Sequence, residues 1–547
     1  MATATATRPP RAAISGDTFT GTGTLVRFML RRDRIRLPAW AVGFAAFAGY
    51  VISAIPLAYG TEEELGSVVS LFGDPVGRML TGPGYGFTEP TFARLVANGY
   101  GLYFVILAAL MNILLVNRHT RVEEQAGRSE LIRAAVVGRA AQLTAALIVA
   151  IITNLVIAVA VIVPMLGAGY EASGSVLFGV AIAAGGLSFA GLTALTAQIT
   201  EYSRAAAGIA GAVLGAAFVV RAGGDMAAEG GSALSWFSPL AWPQQTAPFV
   251  LDRWWPLILS LGLAVLSTAA GYALSARRDV GASFLSARPG PAEAASWLRS
   301  PLAFALRLQR ASLIGWGAGL MASGLVFGAY TDALLHAFED LPDIFADIFG
   351  SAEQIVAGYL GYMAVFMALL VGVFAVLAVQ SLRAEETSER MDPVLATPVS
   401  RVAWLGSYLV VTAVGAVVLL VATGAVNGIG AAIVTGDTTH IRDLTLAHLN
   451  QAPAVLVVLG IAALLFGVLP RAIAATWVII GYGLIASTFG PLLDLPDWAY
   501  NLSPFEHPAR MPLESFDAPP VLVLIVVAAV TAAVGLVGFR LRNVNVS

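Results

Sequence analysis

Twelve apolar stretches dominate this chain, and each is about long enough to cross the hydrocarbon core of a bilayer, which takes roughly 20 helical residues. Hydrophobic residues make up 58% of the chain and charged residues only 12%. A soluble domain does not have this composition. The sequence therefore predicts an all-α polytopic membrane protein with twelve transmembrane helices. The predicted spans are residues 37–58, 99–117, 141–166, 175–199, 205–221, 255–276, 311–333, 356–380, 403–434, 452–469, 472–491 and 519–540.

Arginine predicts the orientation of these spans, since Lys and Arg are retained on the cytoplasmic side during insertion. The chain contains no lysine, and the two termini with the loops after even-numbered spans hold 25 of its 31 arginines. The opposite loops are acidic, most clearly residues 332–353, which contain six acidic residues and no arginine. We therefore expect both termini in the cytoplasm. The net charge of −3 gives no indication of nucleic acid binding.

The sequence also contains an internal repeat. FMLRRDRIRLPAW (28–40) matches FALRLQRASLIGW (304–316) at one offset (316 − 40 = 276), and SPLAWP (238–243) matches SPFEHP (503–508). These matches predict two six-helix repeats in parallel orientation. The predicted organisation is a cytoplasmic N-terminus with a basic interfacial helix (1–36), a first half (37–281), a cytoplasmic linker with a second interfacial helix (282–310) and a second half (311–547).

A charged segment follows the second span of each half. The first copy is VNRHTRVEEQAGRSELIRAAVVGR (116–139) and the second is AVQSLRAEETSERMDPVLATPVSR (378–401). Their charges align at a single offset (383 − 121 = 262): Arg121, Glu123, Glu124, Arg128, Glu130 and Arg139 match Arg383, Glu385, Glu386, Arg390, Asp392 and Arg401. A solvated helix would be expected to pair Glu124 with Arg128, and Glu386 with Arg390, at i,i+4 spacing. A motif present twice alternatively indicates a partner contacted twice.

Several energy sources are disfavoured by the residues that the chain lacks. A phosphate-binding P-loop needs a lysine, so we expect no ATP hydrolysis by this chain alone. The five histidines show no H-x-x-x-H spacing, so a zinc hydrolase is not expected. Proton-coupled transport uses ionisable groups inside the membrane, and the predicted spans contain none except near their ends.

The polar residues predicted to lie within the spans are few. Asn112, Asn154 and Asn427 are candidates for a substrate path. The alternative is that these amides form hydrogen bonds between helices, with the abundant Gly and Ala as packing contacts. The aromatic loops before the sixth and twelfth spans are interpreted either as re-entrant helices or as an interfacial aromatic belt.

The charged segments resemble those of a known family. EETSERMDPVLATPVSR (385–401) is similar to the loop after the second span in the second class of ABC exporter permeases, and EEQAGRSELIRAAVVGR (123–139) is similar too, with the glycine retained as Gly127. The repeat, the RRDVGA linker and the Ser-Pro outer loops resemble in particular the fused, twelve-span actinobacterial permeases that export polyketide antibiotics or multiple drugs.

This resemblance implies a multi-pass protein of the bacterial plasma membrane. It implies a partner, an ATP-binding cassette ATPase in two copies, which would bind ATP and Mg²⁺, whereas this chain would bind no cofactor itself. The loop after the second span would carry a coupling helix that docks on the ATPase. Carried over, the docking residues are Glu123, Glu124, Arg128, Glu130, Glu385, Glu386, Arg390 and Asp392.

We therefore expect the permease subunit of an ATP-driven exporter for hydrophobic or amphipathic compounds. The two docking sites are expected to be unequal, because Glu389 replaces the glycine and Pro393 and Pro398 have no counterpart in the first copy. One alternative is a major-facilitator-like secondary transporter, which also has twelve spans in two parallel halves. The other is a membrane scaffold without transport activity.

Overall fold

The computed structural model describes residues 18–62, 65–66, 72–134, 136–278, 292–332, 355–490 and 495–543. Within these residues the chain is helical and contains no strand. Twelve helices are long and apolar enough to cross a membrane, which confirms the predicted fold class. Nearly all of the predicted acidic loop 332–353, and residues 279–291 of the linker that begins RRDVGA, lie outside the described residues.

The chain divides into two compact units, residues 1–290 and 291–547, and each contains six of the candidate spans. The α-helices of unit 1 are α1 (Thr22–Arg32), α2 (Arg36–Tyr59), α3 (Pro75–Thr81), α4 (Phe92–Arg94), α5 (Tyr100–His119), α6 (Arg121–Gln125), α7 (Arg128–Ala134), α8 (Ala141–Gly167), α9 (Ala172–Ile199), α10 (Ser203–Ala227), α11 (Ala241–Gln244) and α12 (Pro256–Arg277).

The α-helices of unit 2 are α13 (Pro301–Ala329), α14 (Ile355–Thr387), α15 (Asp392–Leu395), α16 (Arg401–Thr435), α17 (Thr439–Asn450), α18 (Ala452–Val468), α19 (Thr476–Phe489), α20 (Asp497–Tyr500) and α21 (Ala518–Leu541). Short turns of other helix types add Leu95–Gly99, Ser235–Phe237, Ser296–Arg299, Pro470–Ala475 and Pro504–Glu506. Helices α17 and α18 together form one span, Thr439–Val468.

The same spans are central in both units. The second and fourth spans are the most buried, at 67% and 78% in unit 1 and at 67% and 72% in unit 2. The first and sixth spans of each unit are among its least buried, and their exposed apolar side chains suit a lipid environment. This shared order is what parallel repeats require, although the repeat orientation and the cytoplasmic placement of the termini stay predictions.

Small residues let the fourth and sixth spans of unit 2 approach closely. A Cβ atom added to Gly535 on α21 would lie 2.5 Å from the Ala463 carbonyl oxygen on α18. Gly191 on α9 meets Ala264 on α12 in unit 1 in the same way. Such contacts replace the hydrophobic drive that is missing between helices in lipid.

The start of the first span differs between the units. In unit 1 the amphipathic helix α1 ends at Asp33, and α2 begins at Arg36 after a short turn. In unit 2 the basic stretch around Arg307 and Arg310 continues without a break into the span as one 29-residue helix, α13. The predicted second interfacial helix is therefore the first part of a span-length helix.

The aromatic loops before the sixth spans are folded back onto their units. In unit 1 the loop forms short helices, and Trp236 stacks on Trp255 with ring centroids 5.0 Å apart. In unit 2 the fully buried Phe505 belongs to the core of the unit. Each loop thus packs against helices of its own unit.

Candidate functional site

The charged segment of unit 1 is organised around Glu124, a carboxylate that is nearly buried. Glu124 follows the second span on α6 and accepts hydrogen bonds from Arg121, three residues earlier, and from Arg278. The Arg278 nitrogens lie 2.7 and 2.9 Å from the two carboxylate oxygens. Because Arg278 directly follows α12, this bidentate pair ties the end of the sixth span to the segment after the second.

The neighbouring Glu123 joins a second set of elements. Its carboxylate accepts a hydrogen bond of 2.6 Å from Arg32, at the end of α1, and bonds of 2.8 and 3.0 Å from Arg128 on α7. The side chain of Glu123 is only 5% exposed. Hydrogen bonding to this carboxylate raises the pKa of Arg128 above its ordinary value.

Unit 2 contains the same arrangement. Glu386 pairs with Arg383 at 2.8 Å and with Arg542, at the end of the sixth span, at 2.6 Å. Glu385 pairs with Arg390 at 3.1 Å. The Arg542 guanidinium also lies 5.4 Å from the ring centroids of Phe466 and Phe539. We call each set a cage: Arg121, Glu123, Glu124, Arg128 and Arg278 in unit 1, and Arg383, Glu385, Glu386, Arg390 and Arg542 in unit 2.

Another arginine of each copy braces the cage from the side. Arg139 donates to the carbonyl oxygens of Ser275 and Arg278 at 2.9 and 2.8 Å. Arg401 donates to the carbonyl oxygen of Arg542 at 2.6 Å. In both units, therefore, the start of the third span is tied to the end of the sixth.

In each unit a sharp turn lies between the cage glutamates and an exposed short helix. In unit 1 the turn is at Gly127, which leads into α7, where Glu130 and Leu131 are exposed. In unit 2 the turn is at Glu389, and Asp392 and Pro393 at the start of α15 are exposed. The cages thus hold short helices whose outer faces are free to contact a partner.

The structure divides the eight predicted docking residues into two groups. Glu123, Glu124 and Glu386 are buried or nearly so, and Glu385 is half-buried. Arg128, Glu130, Arg390 and Asp392 are exposed. The expected i,i+4 pairs Glu124–Arg128 and Glu386–Arg390 do not form, because the turn at Gly127 or Glu389 ends the helix between the two residues and directs each arginine to the preceding glutamate.

Arg278 and Arg542 were not predicted as members of the site. They lie 154 and 156 residues beyond their glutamate partners, so local spacing gives no hint of the pairing. The one indication in the sequence is position, since each arginine lies at the end of the sixth span of its half. The topology prediction uses this arginine, but its position does not reveal the contact with the glutamate.

The candidate substrate-path residues Asn112 and Asn154 bind each other. Each side-chain amide donates to the other's oxygen, at 3.1 and 2.9 Å, and each also donates to a carbonyl of its own helix. Both are buried, and a Cβ atom added to Gly186 on α9 would lie 2.3 Å from the Asn154 oxygen. This geometry is that of a contact joining α5, α8 and α9.

Asn427 has a different environment. It is fully buried on α16, and its side-chain nitrogen and oxygen have no hydrogen-bond partner within the described residues. The nearby Gly324 and Gly328 of α13 pack against this part of α16. Of the three asparagines predicted to line a substrate path, Asn427 thus differs from Asn112 and Asn154 in having no side-chain hydrogen bond within the described residues.

A buried ion pair lies on α10, a helix that is longer than the predicted fifth span. The predicted fifth span ended at residue 221, whereas α10 continues to Ala227 and contains both Arg221 and Asp225. Their side chains are 0% exposed and 2.9 Å apart, and Asp225 also accepts a hydrogen bond from Ser235 at 2.6 Å. Arg221 and Asp225 both lie in the last two turns of α10, which agrees with the expectation that ionisable groups occur only near span ends. Paired charges can be buried where single ones cannot.

Comparison with known proteins adds evidence over nearly the whole chain. The chain is 34% identical over 542 residues to the multidrug efflux system permease protein Rv1217c of Mycobacterium tuberculosis, covering 98% of this chain and 97% of that protein. The chain belongs to this family of multidrug efflux permeases. Residues 298–540 also match the family model described as multidrug efflux system permease Rv1217c, C-terminal domain, which covers most of unit 2. The predicted likeness to actinobacterial drug export permeases is thereby confirmed.

Membership in the multidrug efflux permease family, together with twelve candidate spans, makes the chain a multi-pass bacterial membrane protein. Its family membership makes the chain a transporter subunit. The matched domain, residues 298–540, contains Arg383, Glu385, Glu386 and Arg390 of the unit 2 cage and ends two residues before Arg542.

Proposed function

We propose that the chain is the permease subunit of an ATP-driven exporter of hydrophobic or amphipathic compounds, and that a separate ATPase docks on the exposed faces of α7 and α15. The observation that carries this proposal is the duplicated cage. In each cage, buried ion pairs tie the segment after the second span to the end of the sixth. Arg128 of α7, and Arg390 just before α15, bind the neighbouring cage glutamate. Family membership supports the transport of drugs.

The cage would convert motion of a docked ATPase into motion of the spans. Glu124 is bound at once to Arg121, beside the second span, and to Arg278, after the sixth. Arg128 of α7 binds the adjacent Glu123. A displacement of α7 would therefore act on α6 and, through Glu124, on both span ends by charge-assisted hydrogen bonds. A flexible, fully solvated loop would lose most of such a displacement.

Two ATPase copies are proposed, one for each cage, and ATP with Mg²⁺ would bind to them. The chain has no lysine for a P-loop. The two surfaces differ in charge and shape, because unit 2 has Glu389 at the turn and Pro393 inside α15. Unequal affinity for the two copies follows.

The test is co-purification of the full chain with a P-loop ATPase encoded beside its gene, using charge reversal of exposed residues. We expect Glu130→Arg and Asp392→Arg each to weaken ATPase binding and drug-stimulated ATP hydrolysis, with insertion unchanged. The matched control is Asp517→Arg, an exposed acidic residue before the sixth span of unit 2, on the predicted opposite side. Failure of any such ATPase to bind the wild-type chain would contradict the proposal.

One observation favours the secondary-transporter alternative: Asp225 is a buried carboxylate within a span, the type of group that proton-coupled transport uses. If protons drive transport, Asp225→Asn should leave a folded protein that no longer responds to a proton gradient, and an uncoupler should abolish efflux. If the pair is structural, Asp225→Ala should destabilise the protein by about 3–5 kcal/mol, as expected for an uncompensated buried charge. Replacing Arg221 and Asp225 together by leucine should then cost less than replacing Asp225 alone. A membrane scaffold would give no efflux in either assay.

A further inference from the structure

A cavity of about 310 Å³ lies in unit 1 between the start of the first span and the end of the second. Its wall is apolar where it borders the spans, with Trp40 and Leu114 among the lining residues, and charged at its end, where Arg36 and Arg118 line it. Leu114 is 57% exposed, so the cavity opens along the apolar surface of the unit. The arginine distribution predicts that this end faces the cytoplasmic leaflet.

The charges around this cavity leave a positive excess. The one carboxylate lining it, Asp33, is buried and accepts hydrogen bonds from His119 at 2.6 Å and forms an ion pair with Arg118 at 3.1 Å. Arg36 is exposed and has no ion-pair partner within the part of the chain that the structure describes. Arg36, which has no ion-pair partner among the described residues, therefore lines the cavity together with Arg118, whose partner Asp33 also binds His119.

Unit 2 lacks these charges at the corresponding positions of the repeat. It has a cavity of about 470 Å³ between α13 and α14, lined by Ser312 and Trp316. By the sequence offset of the repeat (316 − 40 = 276), Trp316 corresponds to Trp40 and Ser312 to Arg36. By the offset of the charged segments (383 − 121 = 262), Gln380 stands in place of Arg118.

We propose that the cavity of unit 1 binds the headgroup of an anionic phospholipid of the cytoplasmic leaflet. The Arg36 and Arg118 guanidinium groups would bind the phosphate, since arginine matches phosphate geometry with paired N–H donors. The acyl chains would lie along Trp40 and Leu114, at the level where tryptophan commonly meets the membrane interface. Unit 2 has no arginine at either corresponding position, which favours a ligand of this charge over a requirement of the fold.

The test uses the full chain in detergent, with phosphatidylglycerol titrated against phosphatidylcholine and bound lipid counted by native mass spectrometry. Arg36→Ser installs the residue of unit 2 at an exposed position, so folding should be retained. We expect it to weaken phosphatidylglycerol binding at least roughly five-fold, the effect of about one arginine at an anionic surface. The control is Arg34→Ser, an equal charge change at an exposed residue two positions earlier that does not line the cavity.

Three results would overturn the proposal. Equal loss with Arg34→Ser would mean diffuse attraction to the membrane surface, and equal affinity for phosphatidylcholine would remove the charge requirement. Displacement of phosphatidylglycerol by millimolar inorganic phosphate would assign the cavity to a free anion. Selective loss with Arg36→Ser, without displacement by phosphate, would support a lipid site.

Discussion

Gly127 and Glu389 occupy the same position of the same turn, and both have a positive φ, +71° and +56° respectively. In each unit the amide of this residue donates to the carbonyl of the second cage glutamate, Glu124 or Glu386, at 3.0 and 3.1 Å. Glycine adopts this conformation at no steric cost, whereas a residue with a Cβ atom does not. Unit 2 therefore carries a strained turn that places a carboxylate beside its exposed helix.

The strain at this turn can be measured by exchanging the two residues. We expect Glu389→Gly to raise the thermal unfolding midpoint of the detergent-solubilised chain, because it removes a conformational cost of about 1 kcal/mol. Gly127→Ala should lower the midpoint by a similar amount, and it is a clean probe because no atom lies within 4 Å of an added Cβ. A midpoint unchanged in both variants would show that the turn relaxes freely. If Glu389→Gly also weakens ATPase binding, its charge takes part in docking.

We expect the buried glutamates of each cage to stabilise the folded protein, so that their loss reduces the amount of folded chain. Glu124→Ala leaves Arg278 without its bidentate partner, and both side chains are largely buried, at 11% and 8% exposed. Removing one partner of a buried pair costs about 3–5 kcal/mol, so we expect a large loss of folded protein by fluorescence-detected size-exclusion chromatography. Glu386→Ala should behave alike. Glu130→Arg, on the exposed face, should elute as wild type, and an equal loss there would argue against the division into cage and docking surface.

We expect substitution of Asn112 or Asn154 to lower stability without changing drug selectivity. We expect Asn112→Ala and Asn154→Ala to couple by about 0.6 kcal/mol in a double-mutant cycle, the average for hydrogen bonds between membrane helices. Gly186→Ala should cost more than either, because its methyl group would overlap the Asn154 side chain. The cycle can be followed by thermal unfolding, with drug resistance of cells as the second measurement. A changed resistance profile at unchanged stability would instead return both residues to the substrate path.

The topology prediction can be tested directly, because the natural chain contains no cysteine. Single cysteines at Ser388, in the cage turn, and at Asp517, before the last span, are both at exposed positions. We expect a membrane-impermeant maleimide to label Ser388→Cys only in inverted vesicles and Asp517→Cys in intact cells. Cysteine at Ser129, which is fully buried, is the negative control in folded protein. The opposite labelling pattern would reverse the orientation derived from arginine.

The sequence predicted the spans well and the contacts between them poorly. A span is a local property, the length of an apolar run, and the predicted third span (141–166) differs by one residue from α8. The partner of Glu124 is a tertiary property, because Arg278 lies 154 residues away. Asp225 was missed for a related reason. A charge normally ends an apolar run, and only the folded structure places it against Arg221.

The site itself was predicted in position but not in the role of each residue. The offset between the charged segments located both cages, because the repeated pattern preserves spacing. Spacing alone could not show that the chain turns at Gly127 and Glu389, which directs Arg128 and Arg390 to Glu123 and Glu385. Exposure, which separates structural charges from docking charges, depends on neighbours that are distant in sequence.

The long separation within each cage also sets an order of events during biosynthesis. Arg278 is synthesised 154 residues after Glu124, an interval that at about 5–20 residues per second takes roughly 8–30 s. During that interval the carboxylate has Arg121 beside it but lacks its bidentate partner. Insertion of the sixth span then delivers the missing arginine. Closure of the first cage can therefore serve as the step that marks the first six helices as correctly inserted, before the second six have been translated.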